Sequence, residues 1–290
     1  MKNLTKKIIR YFSVGLIGSA ALVLVIILIK QITLQNNISN NISKFVENQR
    51  DISYSEDITG KELDSLPEPV QRYAKQVMKM NTKDIKGVRF NLSGEVKLPE
   101  RDDWLAIKGQ QYVSALKPAF LWNIKANVNS FLWVEIQDRY ESCGGNIDAK
   151  AYGILPMKSH HNVSELSKTQ LVRWSSLLPM LPHSLVRHPN IEWIPVDENS
   201  SIARITDCDM TSDHIFNFDK DGSFIEMTSR DRYEFYQENG FVQTGSIIYR
   251  TKYKNIDGVS VPTYSTAIRI ENGQNIDFLK ETYSDIEFIR

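Results

Sequence analysis

Beyond residue 86 the chain alternates between apolar and polar residues over most of its length, with the period of two that half-buried β-strands show. Residues 87–98 are the clearest stretch. The same pattern predicts strands over residues 104–116, 120–128, 131–140, 147–154, 191–196, 202–208, 215–218, 223–229, 241–253, 259–270 and 275–288. Two of the intervals hold Asp221-Gly222 and Asp257-Gly258, pairs that are typical of tight hairpin turns.

These strands do not alternate with helices, which argues against a parallel α/β sheet. A flat open antiparallel sheet of this size would be unusual, whereas curvature and partial closure relieve the strain. The sequence therefore predicts a mainly β (α+β) fold. We expect a large curved antiparallel sheet or an incomplete β-barrel with a helical plug, preceded by one N-terminal transmembrane helix.

Two segments interrupt the strands with helical spacing. The first begins at Pro67 and Pro69, which suit the first turn of a helix, and ends before Gly87. The second covers residues 163–185 and is broken by prolines; its apolar positions at near-helical spacing are Leu171, Trp174, Leu178 and Leu181. Two roles remain open for the second segment: an ordinary amphipathic helix covering one sheet face, or a plug at the mouth of a half-closed barrel.

Residues 11–29 form a run of 19 residues without a charge. As a helix the run is about 28 Å long, close to the roughly 30 Å hydrocarbon core of a bilayer. A cleaved signal peptide is the alternative, but its apolar part is shorter and ends at small residues, whereas Gly18, Ser19 and Ala20 lie in mid-run. The run therefore predicts an uncleaved membrane anchor.

Four basic residues precede this run: Lys2, Lys6, Lys7 and Arg10. Basic residues are sparser after it. The positive-inside rule then places the N-terminus in the cytoplasm of a single-pass inner-membrane protein. We expect four parts: a cytoplasmic N-terminus (1–10), a transmembrane helix (11–29), a stalk or linker (30–64) and an extracytoplasmic curved β domain (65–290).

Charge and cysteine usage narrow the function classes. Lys plus Arg and Asp plus Glu both number 35, so no positive field favours nucleic acid as a partner. Cys143 and Cys208 lack the close spacing of a zinc site, and free buried thiols are favoured over a bond between them. No cofactor or metal is expected.

Familiar catalytic motifs are absent from the sequence, including the nucleophile elbow, the phosphate loop and the zinc-protease helix. The five histidines are expected at the surface or in loops. Two carboxylate pairs, Asp102 with Asp103 and Asp138 with Glu141, are expected on the solvated surface. Acid/base catalysis by such carboxylates is an alternative only if the fold brings them into one cleft.

Aromatic residues crowd the first run of strands, and core packing accounts for most of them. The remaining interpretation is an apolar ligand cavity between the concave sheet and residues 171–181. The candidate ligand-binding residues are Arg89, Tyr112, Trp122, Trp133 and Trp174. Arg89 qualifies as a polar anchor only if its face of the sheet is concave.

Ordered motifs across residues 66–288 resemble an uncharacterised bacterial family, a domain of unknown function: LPEPVQRY, RFNLSGE, WLAIKGQQYVSALKPAFLW, DRYESCGG, LVRWSSLLPMLP, WIPVD, FNFDKDG and YKNIDGVSVPT. The resemblance implies an acidic residue where this chain has Gln170. Asp257, Gly258 and Pro262 are also similar to a pattern in LolA-like periplasmic lipoprotein carriers, which implies an incomplete antiparallel barrel with a helical plug.

The leading hypothesis is a membrane-anchored extracytoplasmic protein that binds a lipid or other apolar ligand in a half-barrel. The alternatives are an envelope enzyme that uses carboxylates in the cavity, and a scaffold or assembly factor. Its expected partners are the membrane, through the N-terminal helix, and that ligand.

Overall fold

A single antiparallel sheet of 13 strands dominates the computed structural model, which describes residues 2–47, 58–78, 85–99 and 101–290. The strands are β1 (Gly87–Val96), β2 (Leu105–Ser114), β3 (Phe120–Asn127), β4 (Trp133–Glu141), β5 (Gly144–Ala151), β6 (Leu155–His161), β7 (Ile191–Pro195), β8 (Ser200–Asp207), β9 (Met210–Phe218), β10 (Phe224–Tyr236), β11 (Gly240–Ile256), β12 (Val259–Glu271) and β13 (Gln274–Ile289). The predicted fold class is therefore confirmed.

The described helices are α1 (Lys2–Glu47), α2 (Gly60–Asp64), α3 (Glu68–Val77), α4 (Ser164–Ser176) and α5 (Pro182–Arg187), with a 3-10 turn at Leu178–Met180 between the last two. Both predicted helical segments are present. Pro179 and Pro182 lie in the first turns of the 3-10 helix and of α5, so each proline begins a new short helix instead of continuing α4.

The strand order is β6-β5-β4-β3-β2-β1-β13-β12-β11-β10-β9-β8-β7. Strands that are consecutive in the chain pair with each other, except β6 and β7, and the two halves of the sheet meet at the centre, where β1 pairs with β13. The two edges, β6 and β7, are therefore consecutive in the chain. The segment that joins them carries α4 and α5, so this helical segment has to pass from one edge of the curled sheet to the other.

This connecting segment fills the concave side of the sheet. Leu171 and Trp174 of α4 are fully buried, and the helix contacts strands from both halves of the sheet, β4 and β5 on one side and β9 to β11 on the other. Helix α3 closes the same side elsewhere, where Tyr73 packs against Phe218 with ring centroids 5.5 Å apart. The segment is thus the helical plug of an incomplete barrel.

A disulfide between Cys143 and Cys208 joins the two halves of the sheet. Cys143 lies in the turn between β4 and β5, and Cys208 lies in the turn between β8 and β9, with Cα atoms 6.1 Å apart. Beside the bond, the Tyr140 hydroxyl donates to Asp207 Oδ2 at 2.7 Å. The expectation of free thiols was wrong, because strands distant in the sequence become neighbours when the sheet curls.

Residues 147–154 were predicted as one strand. Instead, residues 147–151 are the end of β5, and residues 152–154 form the turn that follows it. Tyr152 and Gly153 have φ values of 55° and 66°, and the chain reverses there into β6. Strand β6 was not predicted because its sequence, LPMKSHH, contains a proline and lacks apolar alternation. Its burial pattern agrees, since its side chains are almost all exposed.

Helix α1 continues well beyond its apolar run. The stretch Arg10–Leu34 is long and apolar enough to cross a membrane. Farther along, Ile42 and Phe45 are buried against Tyr112 and Leu121 on the convex side of the sheet. The first half of the predicted stalk is therefore helix packed on the β domain, whereas residues 48–57 lie outside the described part of the chain. The proposed four-part division stays a prediction.

Replacing both cysteines by serine should lower stability by about 2–4 kcal/mol, because the bond closes a long loop that the unfolded chain would otherwise explore. Thermal unfolding of the full chain in detergent, with and without reductant, measures the effect. The double variant Cys143→Ser/Cys208→Ser should match the reduced wild type and should not respond to reductant. Equal melting of oxidised and reduced wild type would contradict the structural role.

Candidate functional site

Two small cavities lie on the concave side, one on each flank of α4. The first has a volume of about 60 Å³ and lies against β2 and β10 to β13. The second, of about 110 Å³, lies against β4 to β6 and the β10–β11 hairpin. Both are lined by Arg173 and Arg232, so these two side chains separate them.

Arg250 is the most enclosed cation of the first cavity, with 3% of its surface exposed. Its guanidinium donates to the Ser176 carbonyl oxygen, to Ser176 Oγ at 3.3 Å and to the Tyr283 hydroxyl at 2.9 Å. None of these partners is a carboxylate. A buried guanidinium held by neutral groups keeps most of its attraction for an anion.

Glu281 lies one step further along the same network. Its Oε1 accepts from Trp122 Nε1 at 2.9 Å, and its Oε2 accepts from the Tyr283 hydroxyl at 2.9 Å. Burial raises the pKa of Tyr283 well above its ordinary value, so the phenol keeps the proton that it donates. Tyr283 thus links Arg250 and Glu281.

Gln111 faces the same cavity from β2 and is fully buried. Neither its carboxamide oxygen nor its nitrogen has a hydrogen-bond partner among the described residues. A buried polar group without a partner costs about 1–3 kcal/mol. The first cavity therefore combines an unpaired amide, a guanidinium that reaches the Glu281 carboxylate only through Tyr283, and apolar walls that include Ile248 and Phe278.

The two arginines between the cavities are each paired and stacked. Arg173 Nη1 donates to Asp138 Oδ2 at 2.7 Å, and its guanidinium lies 4.3 Å from the Trp122 ring centroid. Arg232 donates to Glu234 and lies 4.4 Å from the Phe278 ring centroid. Stacking on aromatic faces holds both guanidinium planes in position.

Asp138 is buried, with 5% of its surface exposed, so the expectation that it is solvated was wrong. It faces inward because it follows Val134 and Ile136 at a spacing of two on β4. Burial raises the pKa of this carboxyl, and the Arg173 guanidinium opposes that rise. Gln170 donates to the other carboxylate oxygen. With both oxygens engaged, Asp138 acts as a structural ion-pair partner of α4.

The five predicted ligand-binding residues are divided between the two faces of the sheet. Trp122 and Trp174 lie on the concave side, where Trp174 Nε1 donates to the Ser114 carbonyl oxygen at 3.3 Å. Arg89, Tyr112 and Trp133 lie on the convex side. Arg89 donates to Glu287 at 2.6 Å there, while the two rings are buried beneath α1. Arg89 was a candidate polar anchor only if its face of the sheet were concave, and that face is convex. Ligand binding by these residues stays a prediction.

The polar residues of the first cavity were missed because each was judged by type and not by position. Gln111 lies in phase with Val113, and Arg250 lies in phase with Ile248, on the inward face of their strands. A polar residue at a position where the strand period demands an apolar one is the signal that would have found them.

Three histidines expected at the surface or in loops are buried, which corrects that expectation: His183, His188 and His214. Burial lowers their pKa values to about 3, about 4 and about 4, so all three are neutral at physiological pH. Within the described residues, one group of potential metal ligands lies close together, but two of its three members are the disulfide cysteines.

Comparison with known proteins supports the family resemblance seen in the sequence. A family model described as a family of unknown function (DUF6920) matches residues 64–288. Among curated proteins, no sequence matches the chain.

Three solved structures are similar to the chain. A LolA superfamily protein from Nitrosomonas europaea is 10% identical, with 80% of this chain and 94% of that chain covered and a TM-score of 0.38. A DUF1329 family protein from Desulfovibrio piger is 11% identical, with coverage of 80% and 94% and a TM-score of 0.37. A domain described as an outer membrane lipoprotein-sorting protein, from Vibrio parahaemolyticus, is 7% identical, with coverage of 77% and 92% and a TM-score of 0.37.

The change Gln170→Glu would place a second carboxylate against buried Asp138, and the folded pair should then retain a proton that the unfolded chain has lost. Between the pKa of the carboxyls in the unfolded chain and the raised pKa of the folded pair, the free energy of unfolding should fall as pH rises. The slope should be about 1.4 kcal/mol per pH unit. Thermal unfolding of the full chain in detergent, followed from pH ~4 to ~8, measures the slope.

Gln170→Met is the matched control for this change, because it removes the same hydrogen bond without adding a titratable group. Its difference from wild type should vary much less with pH. Parallel pH profiles for the Glu and Met variants would contradict the contact between residues 170 and 138.

Proposed function

This chain belongs to DUF6920, a family of unknown function, and we propose that it is a membrane-anchored extracytoplasmic binding protein. In this proposal α1 crosses the cytoplasmic membrane with its N-terminus inside, and the half-barrel binds an amphiphilic ligand. An anionic group of that ligand occupies the first cavity.

Two independent features support the location. The charge asymmetry around residues 11–29 favours a cytoplasmic N-terminus. The disulfide between Cys143 and Cys208 belongs to an oxidising compartment, where such bonds form and persist. Both features therefore favour a β domain outside the cytoplasm.

The observation that carries the ligand proposal is that Arg250 and Gln111 line the same cavity. A carboxylate or phosphate oxygen placed there would accept hydrogen bonds from the guanidinium and from the unpaired amide nitrogen. The ligand would thus supply an anion bonded directly to Arg250, which now reaches Glu281 only through Tyr283, and the partner that Gln111 lacks. Apolar walls beside them suit the first carbons of a tail.

The size of the cavities sets where the rest of the ligand lies. A volume of about 60 Å³ admits a polar head group and little more. We place the tail in the second cavity, behind Arg173 and Arg232. Rotation of these two long side chains would join the cavities, whereas an entire acyl chain would also require α4 to shift.

Native mass spectrometry of the detergent-extracted full chain should show a bound species with an anionic group. Arg250→Met should lose it, because the cation is removed while most of the side-chain bulk stays. Arg204→Met is the matched control, since it removes a guanidinium on β8 that pairs with Asp213 and lines neither cavity. This control should retain the ligand.

Gln111→Leu separates binding from folding. Its amide has no partner to lose, so the variant should unfold at the wild-type temperature or above. It should nevertheless bind less ligand. An unchanged bound mass in both cavity variants, or no bound species in the wild type, would contradict the proposal.

The topology is tested with C-terminal reporters. Alkaline phosphatase fused after Arg290 should be active, because its own disulfides form only outside the cytoplasm. A fluorescent protein that matures only in the cytoplasm should be dark at the same site. Intact mass should include the N-terminal residues, whereas a shortened chain would identify residues 11–29 as a cleaved signal.

A further inference from the structure

Two neighbouring turns expose large apolar side chains at one end of the sheet. Phe131, in the turn between β3 and β4, is 87% exposed. In and after the turn between β5 and β6, Ile154, Leu155 and Met157 are 37%, 58% and 59% exposed. We call these four residues the turn patch. Strands β3 to β6 are consecutive antiparallel neighbours, so both turns project from the same end.

Helix α1 runs along the convex face toward this end. Its later residues, Ile42 and Phe45, pack beside Tyr112, which lies near the far end of β2. Its earlier residues, Leu34 and Ile38, pack with Trp133 and Tyr152, which adjoin the two turns. The candidate span before Leu34 therefore leaves the β domain at the end that carries the turn patch.

The position of Lys30 relates the end of the uncharged run to the two turns. It directly follows the uncharged run of residues 11–29. Lys30 and Gly153 line one polar cavity of about 350 Å³, together with Glu135 and Lys150. Gly153 immediately precedes Ile154 and Leu155. Lys30 also interacts electrostatically with Glu135, and the Glu135 carboxylate lies beside Gly153. The turn patch is therefore near the residue where the uncharged run ends.

Half-buried Tyr152 and Lys125 lie near the patch, whereas Trp133 is buried beneath α1. Trp133 and Tyr152 stack edge to face with ring centroids 6.0 Å apart, and Lys125 Nζ lies 5.2 Å from the Trp133 ring centroid. Aromatic rings and lysines with apolar stems are enriched at the level of lipid head groups. Large apolar side chains this exposed would otherwise face water.

We propose that the turn patch inserts into the non-cytoplasmic leaflet of the membrane that α1 spans. This inference rests on the anchoring role of α1 proposed above and adds a second contact to it. Two contacts fix the orientation of the half-barrel on the lipid surface. Strand β6 carries Leu155 and Met157 at the end that would dock, and its far end lines the second cavity through His160.

The test uses environment-sensitive labels on the full chain in nanodiscs that contain nitroxide-labelled lipid. The two native cysteines are bonded to each other, so Phe131→Cys and Leu155→Cys each introduce a single reactive thiol. Val196→Cys is the matched control, because Val196 is 53% exposed on the far turn between β7 and β8. Leu24→Cys, within the candidate span, reports on the anchor itself.

Lipid quenching of the labels at positions 131 and 155 should exceed that at position 196 several-fold, and their emission should shift to the blue. Quenching at position 24 with none at 131 and 155 would overturn the docking while the anchor stands. Absence of quenching at position 24 would overturn the anchor and, with it, this inference.

Discussion

The architecture depends on one topological constraint: the two edge strands of the sheet, β6 and β7, are consecutive in the chain. The helical segment that connects them, residues 162–190, crosses the concave face of the curled sheet and packs there. The apolar face of that segment then lies against both halves of the sheet. Burial of Leu171 and Trp174 stabilises the curl, and the Cys143–Cys208 bond holds the two halves together.

Helices fill most of the concave side of the sheet, so a ligand can bind there only in the spaces left between the helices and the strands. Two small cavities of the described interior lie beside α4, and Arg173 and Arg232 line both of them. Buried charges in such a place are tolerated only when paired or hydrogen-bonded. Asp138 meets this condition through Arg173 and Gln170, whereas Arg250 meets it through neutral groups. This difference separates a structural ion pair from a group available to an anionic ligand.

The convex side has a different role, because α1 is continuous from the candidate span onto the sheet. If α1 spans a membrane as proposed, a continuous helix that then packs on β2 and β3 would transmit the orientation of that anchor to the β domain. The aromatic residues on this face, Tyr112 and Trp133, are buried by the helix and therefore contribute to its attachment. The proposed ligand binding then belongs to the concave face.

The sequence by itself determined the elements with strong local signals. Period-two alternation located twelve of the strands, and the long uncharged run located the candidate span, since both patterns depend only on residues close in the chain. Strand β6 lacks such a pattern and was found only in the structure. The family was also evident from ordered motifs, although no activity came with it.

Tertiary structure alone decided which distant residues meet and which face is concave. Cys143 and Cys208 are 65 residues apart in sequence, and their bond follows from the curl of the whole sheet. Likewise, Arg250 approaches Ser176 only because α4 crosses the concave side, and it meets Tyr283 across the intervening strand β12. Alternation shows that a strand has two faces, but it does not show which of them curves around the plug. That choice depends on long-range packing, which no local pattern encodes.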